Sequence, residues 1–193
     1  MTVLKVNNDP IHLKLDHSTL SIMLDALPIK IKSKVVKYCG DFIRYIANPP
    51  MSIQLDAVRS SYTAIQYIDS PNEDVQLAAV ESNYLALNFI VNPSPNVELA
   101  AVKKNGLIIQ CIKNPTFEMK LEAIIQNELA IKYIKSPTEE LQLLSVNSGI
   151  GNSIMYIEDP SPEVQLASVK RNIHNIDYIK NPCVEVLEYI KSK

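Results

Sequence analysis

The sequence contains few of the residues from which common active sites and metal sites are built. It has no tryptophan, three histidines, three cysteines and four glycines. It contains no glycine-rich phosphate loop, no G-x-S-x-G motif and no H-E-x-x-H motif. We therefore expect a protein that is not an enzyme and that needs no cofactor.

The cysteines and histidines show no ligand or disulfide spacing. Cys39, Cys111 and Cys183 are odd in number and far apart, which argues against a disulfide framework and against a zinc site. We expect three small buried thiols, because free cysteine packs like a small hydrophobic residue. For the histidines we expect surface or helix-capping roles and no bound metal; they are His12, His17 and His174.

Long apolar runs and a strong excess of charge are also absent. Nowhere do about 18 apolar residues follow one another, which disfavours a membrane-spanning helix. The net charge is -2 and the pI is about 5.9, so broad nucleic-acid binding is disfavoured. Locally, residues 1–50 carry a charge of +3 (7 basic, 4 acidic) and residues 51–100 carry -5 (1 basic, 6 acidic). These features predict a cytoplasmic protein.

What the sequence does contain is a proline at a fixed interval, which identifies a repeat protein. Seven prolines are separated by 22, 22, 22, 22, 23 and 22 residues. They are Pro49, Pro71, Pro93, Pro115, Pro137, Pro160 and Pro182. Two apolar blocks recur between them, as LAAV and LIIQCI do in residues 92–115, NPSPNVELAAVKKNGLIIQCIKNP. The 22-residue interval is therefore the unit from which the chain is built.

Each unit carries the start and stop signals of two short helices. Asn, Ser or Asp precedes each of these prolines, and we expect it to cap the first helix. In two copies Ser94 or Ser161 could instead cap a helix that begins at Pro95 or Pro162, and both starts stay open. About twelve residues after each proline comes Asn, Ser or Gly, which we expect in the left-handed conformation of a helix C-cap. These turn residues are Ser61, Asn83, Asn105, Asn127, Gly149 and Asn172.

The phrase LAAVKKNGLIIQCIKNP and its copies resemble the α-solenoid class that includes HEAT and armadillo repeats, at about half their period. In phrasing they are also similar to short helical repeats of uncharacterised bacterial and phage proteins. The resemblance covers residues 28–193 and implies an all-α, right-handed α-solenoid of about seven short helix-turn-helix repeats, the last one truncated. It implies a binding surface and carries over no catalytic residue.

Two segments depart from the repeat. Residues 1–27 alternate like two short strands and then read as a helix, which predicts either an N-terminal cap with a β-hairpin or a segment that forms a homodimer. The turn at residues 147–153 carries the one-residue insertion and two glycines. It is interpreted as a tolerated loop, a hinge or a loop that contacts a ligand.

Two further sets of residues have alternative interpretations. An aromatic column at one repeat position could stack nucleic-acid bases, but a position at the edge of the core is favoured. Its members are Tyr45, Tyr67, Phe89, Cys111, Tyr133, Tyr156 and Tyr178. One face of a helix over residues 29–38 would carry Lys30, Lys34 and Lys37. The first helices of two units end with Lys103, Lys104, Lys170 and Arg171, which the helix dipole explains. The alternative for these basic residues is a patch for an anion or an acidic partner.

One polar position in each second helix is the candidate binding site. The copies differ there while their neighbours repeat, so this position can distinguish one partner from another. The candidate binding residues are Gln66, Asn88, Gln110, Lys132 and Asp177. The alternative surface lies on the first helices, at Gln76, Gln142 and Gln165.

These patterns predict a non-enzymatic protein-interaction module, or an inhibitor, that binds a protein partner through the repeat surface. The alternatives are a protein that sequesters nucleic acid or nucleotides and a structural spacer.

Overall fold

The computed structural model describes residues 4–6, 9–11, 16–149 and 152–193, and its fold is all-α, as predicted. The chain divides into two compact units, Met1–Asn92 and Pro93–Lys193. After the first α-helix, α-helices alternate with 3-10 helices in each unit, and each repeat within residues 29–178 contains one of each. The two predicted helical segments are present, but the second is a 3-10 helix.

Unit 1 begins with a short hairpin. Strand β1 (Leu4–Val6) pairs antiparallel with β2 (Asp9–Ile11), and Leu4 lies opposite Ile11. The α-helices that follow are α1 (His17–Asp25), α2 (Ile29–Tyr38), α3 (Met51–Ser60) and α4 (Glu73–Ser82). The 3-10 helices are η1 (Gly40–Tyr45), η2 (Tyr62–Tyr67) and η3 (Tyr84–Phe89).

Unit 2 has the same alternation. Its α-helices are α5 (Pro95–Lys104), α6 (Phe117–Gln126), α7 (Glu139–Asn147), α8 (Pro162–Arg171) and α9 (Val184–Lys191). Its 3-10 helices are η4 (Gly106–Cys111), η5 (Glu128–Tyr133), η6 (Asn152–Tyr156) and η7 (Ile173–Tyr178).

The short period explains the 3-10 geometry of the second helix. An α-helix rises about 1.5 Å per residue and a 3-10 helix about 2.0 Å. The ten residues of α6 therefore cover about 15 Å, and the six residues of η5 return over about 12 Å. Six residues of α-helix would return over only about 9 Å. The 3-10 helix thus lets the chain cover most of the return distance within 22 residues.

Within each unit the repeats stack as two layers. Neighbouring α-helices pack on one another, as α3 does on α2 and α4, and neighbouring 3-10 helices do the same, as η5 does on η4 and η6. Alanines with no exposed surface lie where the layers meet, such as Ala57 in α3 and Ala123 in α6. The small side chains allow close approach, and buried isoleucines of the 3-10 helices fill the space between layers. The right-handed solenoid twist stays a prediction.

The turn from the α-helix into the 3-10 helix differs from the prediction. The five predicted turn residues other than Gly149 have extended backbones, with φ between -146° and -159°. At Asn83, Asn105, Asn127 and Asn172 the side-chain oxygen accepts a hydrogen bond from the backbone N–H two residues later. These asparagines therefore cap the start of the 3-10 helix, and the left-handed prediction was wrong for them. It holds for Gly149, whose φ is 49°.

Left-handed residues occur instead directly before proline. The φ angles are 46° at Asn48, 48° at Ser70, 54° at Asn92 and 47° at Ser136. The α-helix then begins two residues after the proline, and the residue between them is the N-cap. The predicted caps before proline are therefore wrong. The alternative start at Pro95 and Pro162 is confirmed, since Ser94 and Ser161 accept hydrogen bonds from Val97 N and Val164 N.

Hydrogen bonds that join neighbouring repeats connect residues about one period apart. Asp25 Oδ1 accepts from Ala47 N, 22 positions later, at 2.8 Å. Gln165 Oε1 accepts from Cys183 N, 18 positions later, at 2.9 Å. Ser21 Oγ donates to Tyr45 O, 24 positions later, at 3.1 Å. These bonds tie neighbouring repeats to each other within each unit.

Several interpretations of the irregular segments remain predictions. The capping and dimerisation roles of residues 1–27 are among them, although the two short strands are present. His12 lies outside the residues whose side chains the structure describes, and Gly151 lies outside the described chain. The hinge or contact role of residues 147–153 therefore stays a prediction.

Polar residues enter the buried columns in the last repeats of unit 2. Ser153 and Asn175 occupy the position that Ala130 holds in an earlier repeat, and all three are buried. Asn175 Nδ2 donates to Ser168 O at 3.1 Å and to Ser168 Oγ at 2.9 Å. Ser153 Oγ has no hydrogen-bond partner among the residues that the structure describes. The Ser153 hydroxyl is therefore a weak point of this column, whereas the amide nitrogen of Asn175 has two acceptors.

The capping geometry of Asn127 predicts which substitutions it tolerates. Its Oδ1 accepts from Leu129 N at 2.9 Å, with φ at -158°. Asn127→Ala should lower the free energy of unfolding by about 1 kcal/mol, because the hydrogen-bond acceptor is lost. Asn127→Asp keeps an acceptor and should retain most of this stabilisation. Urea unfolding measures both. Asn127→Gly is the control: a glycine variant more stable than the aspartate variant would show that the residue is left-handed after all.

The unpartnered hydroxyl of Ser153 predicts a stabilising substitution. Ser153→Ala should raise the free energy of unfolding by about 1–3 kcal/mol, because a buried polar group without a partner keeps its desolvation cost. Asn175→Ala at the same repeat position should lower it, because two hydrogen bonds are lost. Both are measured by urea unfolding. A loss of stability in Ser153→Ala would mean that the hydroxyl is hydrogen-bonded in solution.

Candidate binding surface

The five candidate binding residues lie in the 3-10 helices and all have exposed side chains. The 3-10 helix η5 shows why: Ala130 and Ile131 are buried, Lys132 is exposed, and Ile134 beyond it is buried again. The polar position is thus the part of each 3-10 helix that faces away from the α-helical layer. The residues are Gln66, Asn88, Gln110, Lys132 and Asp177.

The structure places these residues in two sets. In unit 1, Gln66 on η2 and Asn88 on η3 lie on neighbouring 3-10 helices. In unit 2, Gln110 and Lys132 lie on the neighbouring helices η4 and η5. Asp177 lies two helices further on, beyond η6, whose residue at this position is Met155. The copies therefore present different chemistry at equivalent exposed points.

Arg44 belongs to the same position and was missed among the candidates. It is exposed on η1, in the copy FIRYI, and its Nε donates to Asp41 O at 3.0 Å. The alignment of FIRYI with the later copies was the signal that could have identified it. The candidate position thus carries a cation in one repeat of each unit, Arg44 and Lys132.

Both cations lie between tyrosines of successive repeats. The Arg44 guanidinium carbon is 5.3 Å from the ring centre of Tyr45 and 4.8 Å from that of Tyr67. Lys132 Nζ is 5.7 Å from the ring centre of Tyr133 and 5.3 Å from that of Tyr156. These distances are within the range of cation–π attraction. Each cation therefore contacts rings of two successive repeats.

The aromatic column flanks the candidate position and is partly exposed. Tyr45, Tyr67 and Tyr156 are half-buried, while Phe89, Tyr133 and Tyr178 are exposed. Cys111 occupies this column and is exposed, and Cys39 and Cys183 are half-buried. The prediction of three buried thiols was wrong, because the apolar neighbours of Cys111 in sequence face inward while its own position faces solvent.

The glutamines of the α-helices make structural hydrogen bonds. Each donates its side-chain Nε2 to the carbonyl of the proline five residues earlier, at 2.8 to 3.0 Å. They are Gln54, Gln76, Gln142 and Gln165. Gln76, Gln142 and Gln165, the alternative binding residues, therefore also stabilise the turns, and their binding role stays a prediction. Glu98 holds this position in α5, and burial raises the pKa of its carboxyl.

The basic residues outside the candidate position are partly engaged within the chain. Lys37 Nζ lies 3.4 Å from Asp56 Oδ1, and Arg171 Nη2 donates to Gly149 O at 2.8 Å. Lys103, Lys104, Lys170 and Arg171 lie in the last turns of α5 and α8, where the helix dipole favours positive charge.

The histidines with described side chains occupy local roles. His17 begins α1 directly after the N-cap Asp16, and its ring centre is 4.7 Å from that of Tyr45. A backbone hydrogen bond from Thr19 and a side-chain bond from Ser18 lower the pKa of Asp16 to about 2. His174 is exposed on η7. Over the part of the chain that the structure describes, no three His, Cys, Asp or Glu side chains are grouped as metal ligands.

Within the described residues no helix has the length and apolar character needed to cross a membrane. Comparison with family models, with curated proteins and with solved structures gives no match for this chain.

The cation between two tyrosines predicts a measurable coupling energy. In a double-mutant cycle, Lys132→Gln and Tyr156→Leu should be coupled by about 0.5–1 kcal/mol, as for an exposed cation–π pair. Urea unfolding of the two single variants and the double variant measures it. Lys135→Gln, which removes another exposed lysine of the same turn, should show no coupling to Tyr156→Leu. Equal coupling energies for both lysines would show that the coupling comes from the positive charge of the turn and not from the cation–π contact.

Proposed function

We propose that this chain is a non-enzymatic protein-interaction module that binds its partner through the outward row of the 3-10 helices. The observation that carries the proposal is the contrast between this row and its surroundings. The apolar residues that repeat in the two blocks are mostly buried, while the residues of this row differ between copies and are exposed. Exposed positions that vary from copy to copy are what a surface that recognises one partner requires.

The aromatic column supports this proposal. Interfaces are enriched in Tyr, Phe and Arg, which contribute large contact areas and hydrogen bonds at once. In this chain Arg44 and the tyrosines beside it lie at the edge of the candidate row, half-buried or exposed. Because the packing of the repeats already positions these residues, little conformational entropy is lost when a partner binds.

The resemblance to HEAT and armadillo repeats and to bacterial and phage helical repeats supports the same function. Proteins with stacked helical repeats serve mainly as extended binding surfaces. A small protein of this kind, in the cytoplasm, can act as an inhibitor by covering a partner's own binding site. Pairing of two copies through residues 1–27 remains part of the proposal.

A second function, sequestration of nucleic acid or nucleotides, is favoured by one observation. Partly exposed aromatic rings recur along the 3-10 layer, and such rings stack bases in single-strand binders. The net charge of -2 weighs against it, because phosphate binding requires an excess of positive charge. A structural spacer would need neither rings nor variation in the row.

The proposal is tested on a partner identified by pull-down and mass spectrometry. The double variant Lys132→Glu with Asp177→Lys reverses two charges of the row in unit 2 and leaves the net charge unchanged. Binding should weaken at least about tenfold, which corresponds to 1.4 kcal/mol, because the charges of the partner then face like charges. The helical circular-dichroism signal and the melting temperature should change little.

A matched control reverses charges on the α-helical layer. Glu140→Lys with Lys170→Glu also preserves the net charge and changes two exposed residues of unit 2. Weakening by this control alone would move the binding surface to the α-helices. Micromolar binding of single-stranded DNA or RNA at near-physiological salt, lost as salt rises, would replace the proposal with nucleic-acid sequestration.

A further inference from the structure

Two surface grooves occur at equivalent positions of the repeat, one in each unit. The Arg44 groove, in unit 1, has a volume of about 580 Å³, and the Lys132 groove, in unit 2, about 770 Å³. Each runs between the end of one 3-10 helix and the end of the next. The Arg44 groove is lined by residues that include Arg44, Tyr45, Gln54, Tyr67 and Asp69. The Lys132 groove is lined by residues that include Lys132, Tyr133, Gln142, Tyr156 and Glu158.

The cation in each groove keeps its charge available. Arg44 and Lys132 are exposed, and each is held between two tyrosine rings. Among the described residues no carboxylate oxygen lies within 4.0 Å of either cation. A ring face attracts a cation without neutralising it, so the ammonium or guanidinium group can still pair with an anion.

The opposite wall of each groove carries a carboxylate. Asp69 and Glu158 follow the isoleucine that ends the next 3-10 helix, so they occupy the same repeat position. Both are exposed and line their groove, and Asp159 lies beside Glu158. Each groove thus presents a positive group from one repeat and a negative group from the next, and no ion pair joins the two among the described residues. In the Lys132 groove, Lys135 adds a second exposed lysine to the lining.

The other repeats within each unit do not combine these charges. In unit 1, Gln66 holds the cation position of one repeat and Val91 holds the carboxylate position of the next. In unit 2, Gln110 and Lys135 hold the same two positions. In the last repeats Met155 is followed by Lys180. A cation and a carboxylate therefore occur together in these grooves and are replaced together elsewhere in the same unit.

We infer that each groove binds a polypeptide segment of the partner that carries one acidic and one basic side chain. The acidic side chain pairs with Arg44 or Lys132, and the basic side chain pairs with Asp69 or Glu158 while resting on a tyrosine ring. This inference rests on the proposed function and adds the chemistry of the partner. A ligand that carries charges of both signs matches the charges of the groove. A ligand that carries only phosphate would be repelled by the carboxylate on the opposite wall.

Three capped tripeptides test the charge requirement. The probe acetyl-Glu-Gly-Arg-amide carries both charges, acetyl-Glu-Gly-Gln-amide only the acid, and acetyl-Gln-Gly-Arg-amide only the base. The readout is the NMR signals of the tyrosine rings in the full chain, assigned with Tyr→Phe variants. The doubly charged probe should shift Tyr45, Tyr67, Tyr133 and Tyr156 with saturation at about 1–10 mM, as expected for a short peptide. The singly charged probes should bind at least about tenfold more weakly.

Variants assign each response to its groove. Arg44→Gln should abolish the shifts of Tyr45 and Tyr67 and leave those of Tyr133 and Tyr156 unchanged, and Lys132→Gln should do the reverse. Lys113→Gln removes an exposed lysine that lines neither groove, and it should change no shift. The melting temperature of each variant shows that the unit is folded, and the untouched groove reports on the same sample.

Three outcomes would overturn the inference. They are the absence of saturable shifts in the wild-type chain, equal binding of the three probes, and saturation by adenosine monophosphate with no response to the doubly charged peptide. The last outcome would assign the grooves to nucleotides. None of these outcomes decides the proposed function by itself. If charge reversal in the row still weakens the binding of an identified protein partner, the chain remains an interaction module, and only the ligand assigned to the grooves is wrong.

Discussion

Packing between neighbouring repeats is the constraint on which this structure depends, because none of its described helices is long enough to be stable in water alone. The α-helices have at most 10 residues and the 3-10 helices at most 6. Isolated helices of these lengths unfold, since few hydrogen bonds offset the loss of chain entropy. The buried alanines, valines and isoleucines between layers provide the missing free energy. Every other feature, including the exposed row, is held in position by that packing.

The period and the all-α class could be predicted from the sequence, because proline spacing and the apolar blocks report directly on packing. The sequence left two starts open for α5 and α8, and it did not predict the conformation of the turns. An asparagine between two helices signals a left-handed C-cap as strongly as it signals a side-chain cap of the next helix. At Asn127 the second possibility applies, with φ at -158°. A block of six residues likewise gives no sequence signal that separates a 3-10 helix from an α-helix.

The candidate site was predictable in its position and less so in its composition. The exposure of Gln66 and Lys132 follows from a single polar residue within an apolar block. The pairing of Lys132 with Tyr133 and Tyr156 depends on how two repeats stack, which spacing within one repeat does not contain. The role of Gln142 was also hidden, because a donor to a proline carbonyl and a surface glutamine look alike in sequence.

The small sequence separation of residues that contact each other between repeats affects how the chain folds and how its number of repeats can change. Residues joined across repeats, such as Asp25 and Ala47, are separated by about one period in a chain of 193 residues. Contact order is therefore low, and closing such small loops costs little entropy, so folding can begin in any repeat and spread to its neighbours. For the same reason a whole repeat can be gained or lost without separating residues that contact each other elsewhere. The length of the exposed row is thus a quantity that can change in steps of one repeat.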